Sequence, residues 1–245
     1  MRLTRVHVDQ PLSAGTELVL PESAAAHLVR VLRLGVGDAC VLFNGDGHDY
    51  AARIVAAGKR ELRVAIDSAT RVERESPLSL VLLQGVARGE KMDLILQKAT
   101  ELGASAFHPL WSQRSEVKLD ESRAEKRLAH WRSVVASACE QSGRAVVPEV
   151  AAPLSLAAVL GALPAGGTRL ILDPEGEFAF GTLQLEAQQS AYLAIGPEGG
   201  WSPQDREQLR ASGFRGLRLG PRILRTETAG LAAIAALQAR FGDFA

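Results

Sequence analysis

Cysteine is almost absent from the 245-residue chain, which has two, Cys40 and Cys139, far apart in sequence. A disulfide framework or a cysteine-rich zinc site needs more thiols at closer spacing. Both are excluded, and each cysteine is expected to be a small buried hydrophobe. The five histidines, His7, His27, His48, His108 and His130, are scattered without a helical ligand pair, so no metal is expected. Long apolar runs are also missing. The longest, Gly230 to Leu237, is short and alanine-rich, against the roughly 20 residues a membrane helix needs. The first dozen residues, MRLTRVHVDQPL, lack the apolar region of an export signal, so a cytoplasmic protein with no membrane partner is expected. Net charge is zero: 28 Lys plus Arg balance 28 Asp plus Glu, and a polyanion would have to be held by local patches. Lysine supplies only 5 of those cations and arginine 23. The arginine fork matches phosphate and base edges, although a composition bias toward Ala and Gly explains the same excess.

Several catalytic signatures are lacking as well. LLQGVARGEK offers only Gly85 and Gly89 after the first strand of the larger half, so neither a dinucleotide fingerprint nor a P-loop is present. There is no G-x-S-x-G elbow. Hydrolase and zinc chemistry drop out.

What is present divides the chain in two. Up to about residue 70, short alternating segments (TRVHV, TELVL, ACVLFN, DYAARIVAA, ELRVAID) predict strands of a small β-barrel, joined by the turns NGDGH and AGKR. Between them, Pro21 to Leu34 is predicted to be a helix with Leu28, Val31 and Leu32 on one face and His27, Arg30 and Arg33 on another. The basic stripe is either a solvated face or a phosphate contact. The charged stretch Arg71 to Pro77 is taken as the boundary, giving domains 1–72 and 73–245. Beyond it, continuous apolar strands (LSLVLLQGV, SAFHPLW, AVVPEV, TRLILD, AYLAIG, FRGLRLG) alternate with helices, the pattern of a parallel sheet covered on both faces. Helix Lys91 to Leu102 carries Met92, Ile95, Leu96 and Ala99 on a core stripe and stops at Gly103, and helix Glu121 to Gln141 carries Leu128, Trp131, Val135 and Ala138.

Two segments carry the chemistry. In AYLAIGPEGGWSPQDREQL a buried strand runs into Gly196-Pro197-Glu198-Gly199-Gly200, and Ser202, Pro203 and Asp205 open a helix. Glycines at the carboxyl end of a strand let backbone groups approach a ligand, and ligands bind there in open α/β sheets. In the second segment, FRGLRLGPRILRTETAG, a turn follows the next strand. From Gln208 to Thr226 there are five arginines (Arg210, Arg215, Arg218, Arg222, Arg225) and no acid. The two turns can share one crevice.

IGPEGGWSPQDRE, LGPRILRTETAGLAAI, KMDLILQKATELGA and EQSGRAVVPEV resemble the bacterial 16S ribosomal RNA uridine N3-methyltransferases of the SPOUT superfamily. RLTRVHVD and AAAHLVRVLRLGVGD resemble that family's PUA-like RNA-binding domain, so the likeness covers nearly the whole chain in order. It implies an α/β fold class: a small N-terminal PUA-like β-barrel, then a SPOUT domain ending in a trefoil knot, which topology rules would not anticipate. It further implies S-adenosylmethionine as cofactor, 16S ribosomal RNA on the 30S subunit as partner, and a homodimer. Ala229, Ala232, Ala233, Ala235 and Ala236 would suit a dimer contact or ordinary packing equally.

Carried over by position, the resemblance places the cofactor against Leu172, against Ile195, Gly196, Pro197, Gly199 and Gly200, and against Leu219, Gly220, Ile223, Leu224 and Arg225. Methylating N3 means removing a proton from the pairing edge, so the uridine must be unpaired. Arg225 is expected to polarise the uracil carbonyls. A guanidinium about 4 Å from the developing anion at an effective dielectric near 20 would supply about 4 kcal/mol. Glu198 is a modest proton acceptor or a counter-charge to the sulfonium, or else a solvated loop acid. Thr226 and Thr228 orient the ring or cap the last helix. No covalent enzyme intermediate is expected. Arg5, Arg30 and Arg33 in the small domain, and Arg114, Gln141 and Arg144 in the large one, are the expected RNA contacts. A related methyltransferase for another RNA position and a noncatalytic ribosome-assembly factor are the alternatives.

Overall fold

The structure is a computed structural model describing residues 3–58, 61–115, 121–185 and 190–244. The chain forms two compact units, Met1–Glu75 with Ala136–Val147, and Ser76–Val135 with Pro148–Ala245. The division falls after Glu75 rather than at residue 72, and Ala136–Val147 belongs to the first unit. Buried polar bonds account for both differences. Arg144 is ion-paired with Glu75, and Arg5 donates to the carbonyls of Cys139 (2.7 Å) and Arg144 (3.1 Å).

The first unit holds β1 (Arg5–His7), β2 (Glu17–Val19), α1 (Glu22–Ala26), β3 (Ala39–Phe43), β4 (His48–Ala57) and β5 (Leu62–Arg71). The five strands run in the order β1-β3-β4-β5-β2, with only the β1–β3 pair parallel. The period of two along a strand sends Tyr50, Ala52 and Ile54 of β4 and Leu62, Val64 and Ile66 of β5 inward, against Val6, Leu28, Cys40 and Leu42. The β3–β4 turn has Gly45 and Gly47 at φ of 95° and 90°. The AGKR turn lies partly outside the described residues.

The helix expected from Pro21 to Leu34 is shorter and changes character. After α1, His27–Val31 forms a π-turn, with the Leu32 amide donating to the His27 carbonyl at 3.1 Å. The wider turn breaks the 3.6-residue phase, so Leu28 is buried while Val31 and Leu32 are exposed. Arg33 then takes φ of 59°, a left-handed conformation that stops any helix.

The second unit contains β6 (Leu80–Gly85), α2 (Lys91–Glu101), β7 (Ala106–Trp111), α3 (Glu121–Ser142, which also supplies the first unit), β8 (Glu149–Val150) and β9 (Leu154–Ser155). It continues with α4 (Leu156–Ala162), β10 (Thr168–Leu172), β11 (Phe178–Ala179), β12 (Ala191–Ile195), α5 (Pro203–Ala211), β13 (Arg215–Arg218) and α6 (Thr226–Phe241). The strand order is β11-β13-β10-β12-β6-β7-β8, with β9 beside β7, and every pairing is parallel. Every residue of β6 and β12 is buried, and each leucine in them contributes about 1.5–3 kcal/mol. The AVVPEV segment is strand only at Glu149–Val150, because Ala145–Val147 goes with the first unit. The α2 stripe is buried as expected, whereas Leu128 of α3 is half-buried.

Candidate active site

The carboxyl ends of β6, β12, β10 and β13 surround one region of the second unit. Close backbone approach builds it. A Cβ on Gly85 would fall 2.5 Å from the Pro197 nitrogen, and one on Gly196 would fall 3.1 Å from Gly200 Cα. Only glycine lets the β6 end and the β12 loop touch in this way. The Gly200 amide closes the loop on the Pro197 carbonyl at 2.8 Å, with Gly200 at φ of 65°. Helix α5 then starts on the expected signal: Ser202 Oγ accepts the Asp205 amide at 3.0 Å and Asp205 accepts the Ser202 amide at 2.9 Å, a reciprocal cap with Pro203 inside it.

The two glycine-bearing loops meet. Thr226 Oγ1 donates to the Gly196 carbonyl at 2.6 Å and accepts from Gln84 Nε2 at 3.0 Å, tying α6, the β12 loop and β6 together. Between the loops lies a cavity of about 410 Å³, within the range of small-molecule sites of roughly 300–1,000 Å³. Leu172, Ile195, Gly196, Pro197, Glu198 and Gly200 line it from the sheet side, and Ile223, Leu224, Arg225 and Thr226 from the α6 side. Leu219, Gly220 and Arg222 line an adjoining hollow of about 80 Å³ that shares Leu172 and Leu224. Gly199 stands at the rim, its carbonyl accepting from Arg114 Nη1 at 3.1 Å.

The structure assigns the individual residues more sharply than their spacing does. Glu198 accepts the Arg88 amide at 3.1 Å and lies 3.3 Å from Lys91 Nζ. Burial alone would raise its pKa. The Arg88 amide, its own amide and the Lys91 ammonium outweigh burial and hold the carboxyl below its ordinary range, which weakens it as a base. Arg225 is the exposed N-cap residue of α6, and its carbonyl accepts the amides of Thr228 and Ala229 at 2.9 and 2.7 Å. Neither threonine side chain caps this helix. Thr226 is buried with its hydroxyl engaged, while Thr228 is exposed. Of the five arginines expected to form one cationic wall, Arg222 and Arg225 face these hollows. Arg215 instead stacks 3.6 Å over the Phe178 ring beside a separate cavity.

The expected RNA contacts separate into two groups. Arg5 and Arg144 are 7 % and 5 % exposed. Arg5 bonds Asp49 at 2.6 Å and Arg144 is paired with Glu75, so both heads are committed inside the first unit and do not reach a phosphate. Arg30, Arg33, Arg114 and Gln141 are exposed. Both cysteines are buried, and burial raises their thiols to about 11 (Cys40) and about 12 (Cys139), far from an activated nucleophile. Among the described residues no group of three or more His, Cys, Asp or Glu is placed to hold a metal, and no helix is long and apolar enough to cross a membrane.

Six cavity residues escape the sequence reading of the site: Lys91, Pro174, Trp201, Arg206, Glu227 and Ala229. Lys91, Trp201, Arg206 and Glu227 lie in the quoted motifs, but their residue types alone assign them no role. Arg206 is paired with the buried Asp173, and the buried indole N–H of Trp201 has no hydrogen-bond partner among the described residues.

A glycine-lined cavity at the carboxyl ends of a parallel sheet, in a chain that also carries a separate small β unit, defines an α/β enzyme with an added binding domain. Comparison with known proteins makes this particular. A family model described as the RNA methyltransferase domain matches residues 74–238, and one described as the RNA methyltransferase PUA domain matches residues 20–67. The crystal structure of a ribosomal RNA small subunit methyltransferase E from Neisseria gonorrhoeae bound to S-adenosyl methionine is 39 % identical in sequence, with a TM-score of 0.95 over 100 % of both chains. The methyltransferase E of Bacillus subtilis (strain 168) is 34 % identical over 86 % of this chain and 85 % of its own. That of Buchnera aphidicola subsp. Schizaphis graminum is 32 % identical over 99 % of this chain and 98 % of its own. The chain belongs to the ribosomal RNA small subunit methyltransferase E family.

Proposed function

We propose that this protein transfers a methyl group from S-adenosylmethionine to N3 of a uridine in 16S ribosomal RNA, presented on the 30S subunit. The observation that carries the reading is the meeting of the 195–200 and 219–225 loops around one glycine-lined cavity with Arg225 at its mouth. Leu172, the first loop from Ile195 to Gly200 and the second from Leu219 to Arg225 would hold the cofactor. When bound, it supplies an electrophilic methyl carbon.

The protein's own residues set the rest. Arg225 stabilises the anion that develops on the uracil carbonyls as the N3 proton leaves. Its exposure keeps that gain near the water value of about 1 kcal/mol until RNA covers the site, where about 4 kcal/mol becomes available. Glu198, with its lowered pKa and its bonds to Arg88 and Lys91, serves as counter-charge, and the proton leaves to water. Thr226 positions the loops, which leaves Thr228 as the threonine able to meet the ring. Holding the acceptor nitrogen in line with the methyl carbon contributes the larger share of the rate. Arg30, Arg33 and Gln141 of the first unit and Arg114 of the second are the RNA contacts. Each lost phosphate contact should lower the salt dependence of binding by about one ion.

A homodimer through the half-exposed Ala229, Ala232, Ala235 and Ala236 of α6, a knotted C-terminal segment and a cytoplasmic location complete the proposal. Hypomethylated 30S particles incubated with the protein and labelled S-adenosylmethionine should gain one methyl group at one 16S uridine, read by mass spectrometry of RNA fragments. Label on another base, or none, would reject the assignment.

A further inference from the structure

Three ionic side chains from three elements converge on one wall of the cavity. Lys91 opens α2, Glu198 lies in the loop after β12, and Glu227 sits in the first turn of α6. Lys91 Nζ is 3.3 Å from Glu198 Oε1 and 3.7 Å from Glu227 Oε2. One ammonium between two carboxylates leaves one negative charge in excess, and hydrogen bonding decides where it resides. Glu198 also accepts the Arg88 amide at 3.1 Å, so two donors meet its charge. Among the described residues Glu227 Oε2 is buried without a hydrogen-bond partner, on a side chain that is 16 % exposed.

Among the described residues no ion pair joins the other cations of the lining to Glu227. Arg206 is paired with Asp173, and Arg225 is exposed. A buried carboxylate oxygen with one distant counter-ion is costly unless something positive completes its environment.

We propose that Glu227, positioned by Lys91, reads the positive charge of the methyl donor's sulfonium and so sets the preference for the donor over its neutral, demethylated thioether product. This rests on the methyl-donor reading above. The two ligands share their adenine, ribose and amino-acid portions and differ by one methyl group and one charge. A residue that only shapes the cavity therefore alters both affinities alike, whereas a residue that reads charge alters their ratio. Lys91 acts in the opposite sense, since it offsets part of the carboxylate field.

Titration calorimetry of the full chain with S-adenosylmethionine and, separately, S-adenosylhomocysteine tests this without turnover. E227Q should weaken the sulfonium ligand about tenfold relative to the thioether, equivalent to roughly 1.4 kcal/mol. K91M should shift the ratio toward the sulfonium. An equal loss for both ligands in E227Q, or a K91M shift toward the thioether, would overturn the inference. If thermal unfolding shows that E227Q does not fold, the direction of the K91M shift decides alone. Failure of the unsubstituted protein to bind either ligand would overturn the methyl-donor reading and this inference with it, whereas binding with an unmoved ratio overturns the inference alone.

Discussion

Replacing Thr226 with valine keeps the shape of the side chain and deletes its hydroxyl. That hydroxyl donates 2.6 Å to the Gly196 carbonyl and accepts 3.0 Å from Gln84 Nε2. Gln84 is fully buried and its Oε1 already lacks a partner among the described residues, so water cannot replace what its amide loses. Nε2 retains the Gly85 carbonyl at 2.9 Å, and the half-buried Gly196 carbonyl can rehydrate from the cavity, which limits the damage. One net hydrogen bond of about 1 kcal/mol plus one under-satisfied buried donor of about 1–3 kcal/mol gives an expected destabilisation of about 2–4 kcal/mol. Urea unfolding measures it as a lower midpoint at unchanged slope, with T226S, which keeps the hydroxyl, close to the parent. The same variant should weaken S-adenosylmethionine binding, because the loops around the cavity lose their tie. A T226V midpoint within about 0.5 kcal/mol of the parent would refute the reasoning.

Other perturbations probe other parts of the structure. In G85A the new Cβ would lie 2.5 Å from the Pro197 nitrogen, and backbone cannot yield cheaply. A loss of about 1–3 kcal/mol and at least tenfold weaker cofactor binding by calorimetry is expected, and unchanged affinity would count against the site. R5M strips a buried cation from Asp49 and from two carbonyls. Because Asp49 is partly exposed, the cost should fall near about 3 kcal/mol, the lower end for a broken buried pair, as read by urea unfolding. R225A should lower methyl transfer about a hundredfold on 30S particles while changing cofactor affinity little, and intact transfer would remove Arg225 from the chemistry. The folded pKa of Glu198 lies below its ordinary 4.5, so its contribution to stability is complete above that value and is lost as pH falls through the lower folded pKa. The stability difference between parent and E198Q should therefore shrink on acidification from about pH 6 to pH 3, and a constant difference would contradict the Lys91 and Arg88 contacts.

Local rules carried the sequence reading where one element decides its own shape. The reciprocal Ser202–Asp205 cap, the positive-φ glycines of the β3–β4 turn and the wholly buried, largely apolar β6 and β12 follow from their residues alone. The reading weakened where distant chain segments decide. Arg5 and Arg144 carry the same side chain as Arg30 and Arg33, and only tertiary placement against Asp49 and Glu75 turns the first two into interior ties. The π-turn at His27–Val31 inserts one residue into an otherwise regular helical phase, which shifts Val31 and Leu32 outward. Strands of two residues, such as β9 and β11, are too short for any periodicity. At the site, both glycine loops are evident in the sequence, but Gly85 stands there only as part of a missing fingerprint. Its use as the point where β6 and Pro197 touch depends on a contact more than a hundred residues away.

The all-parallel sheet constrains the order in which the nascent chain can mature. Its central strand β6 acquires one neighbour, β7, almost at once, yet its other neighbour is β12, Ala191–Ile195. Throughout synthesis of the intervening segment the six buried residues of β6 present an open edge, a template for unwanted pairing that closes only when the β12 segment emerges. The pocket built on that seam is therefore among the last features of the molecule to form, and a polypeptide interrupted before then has no partial version of it.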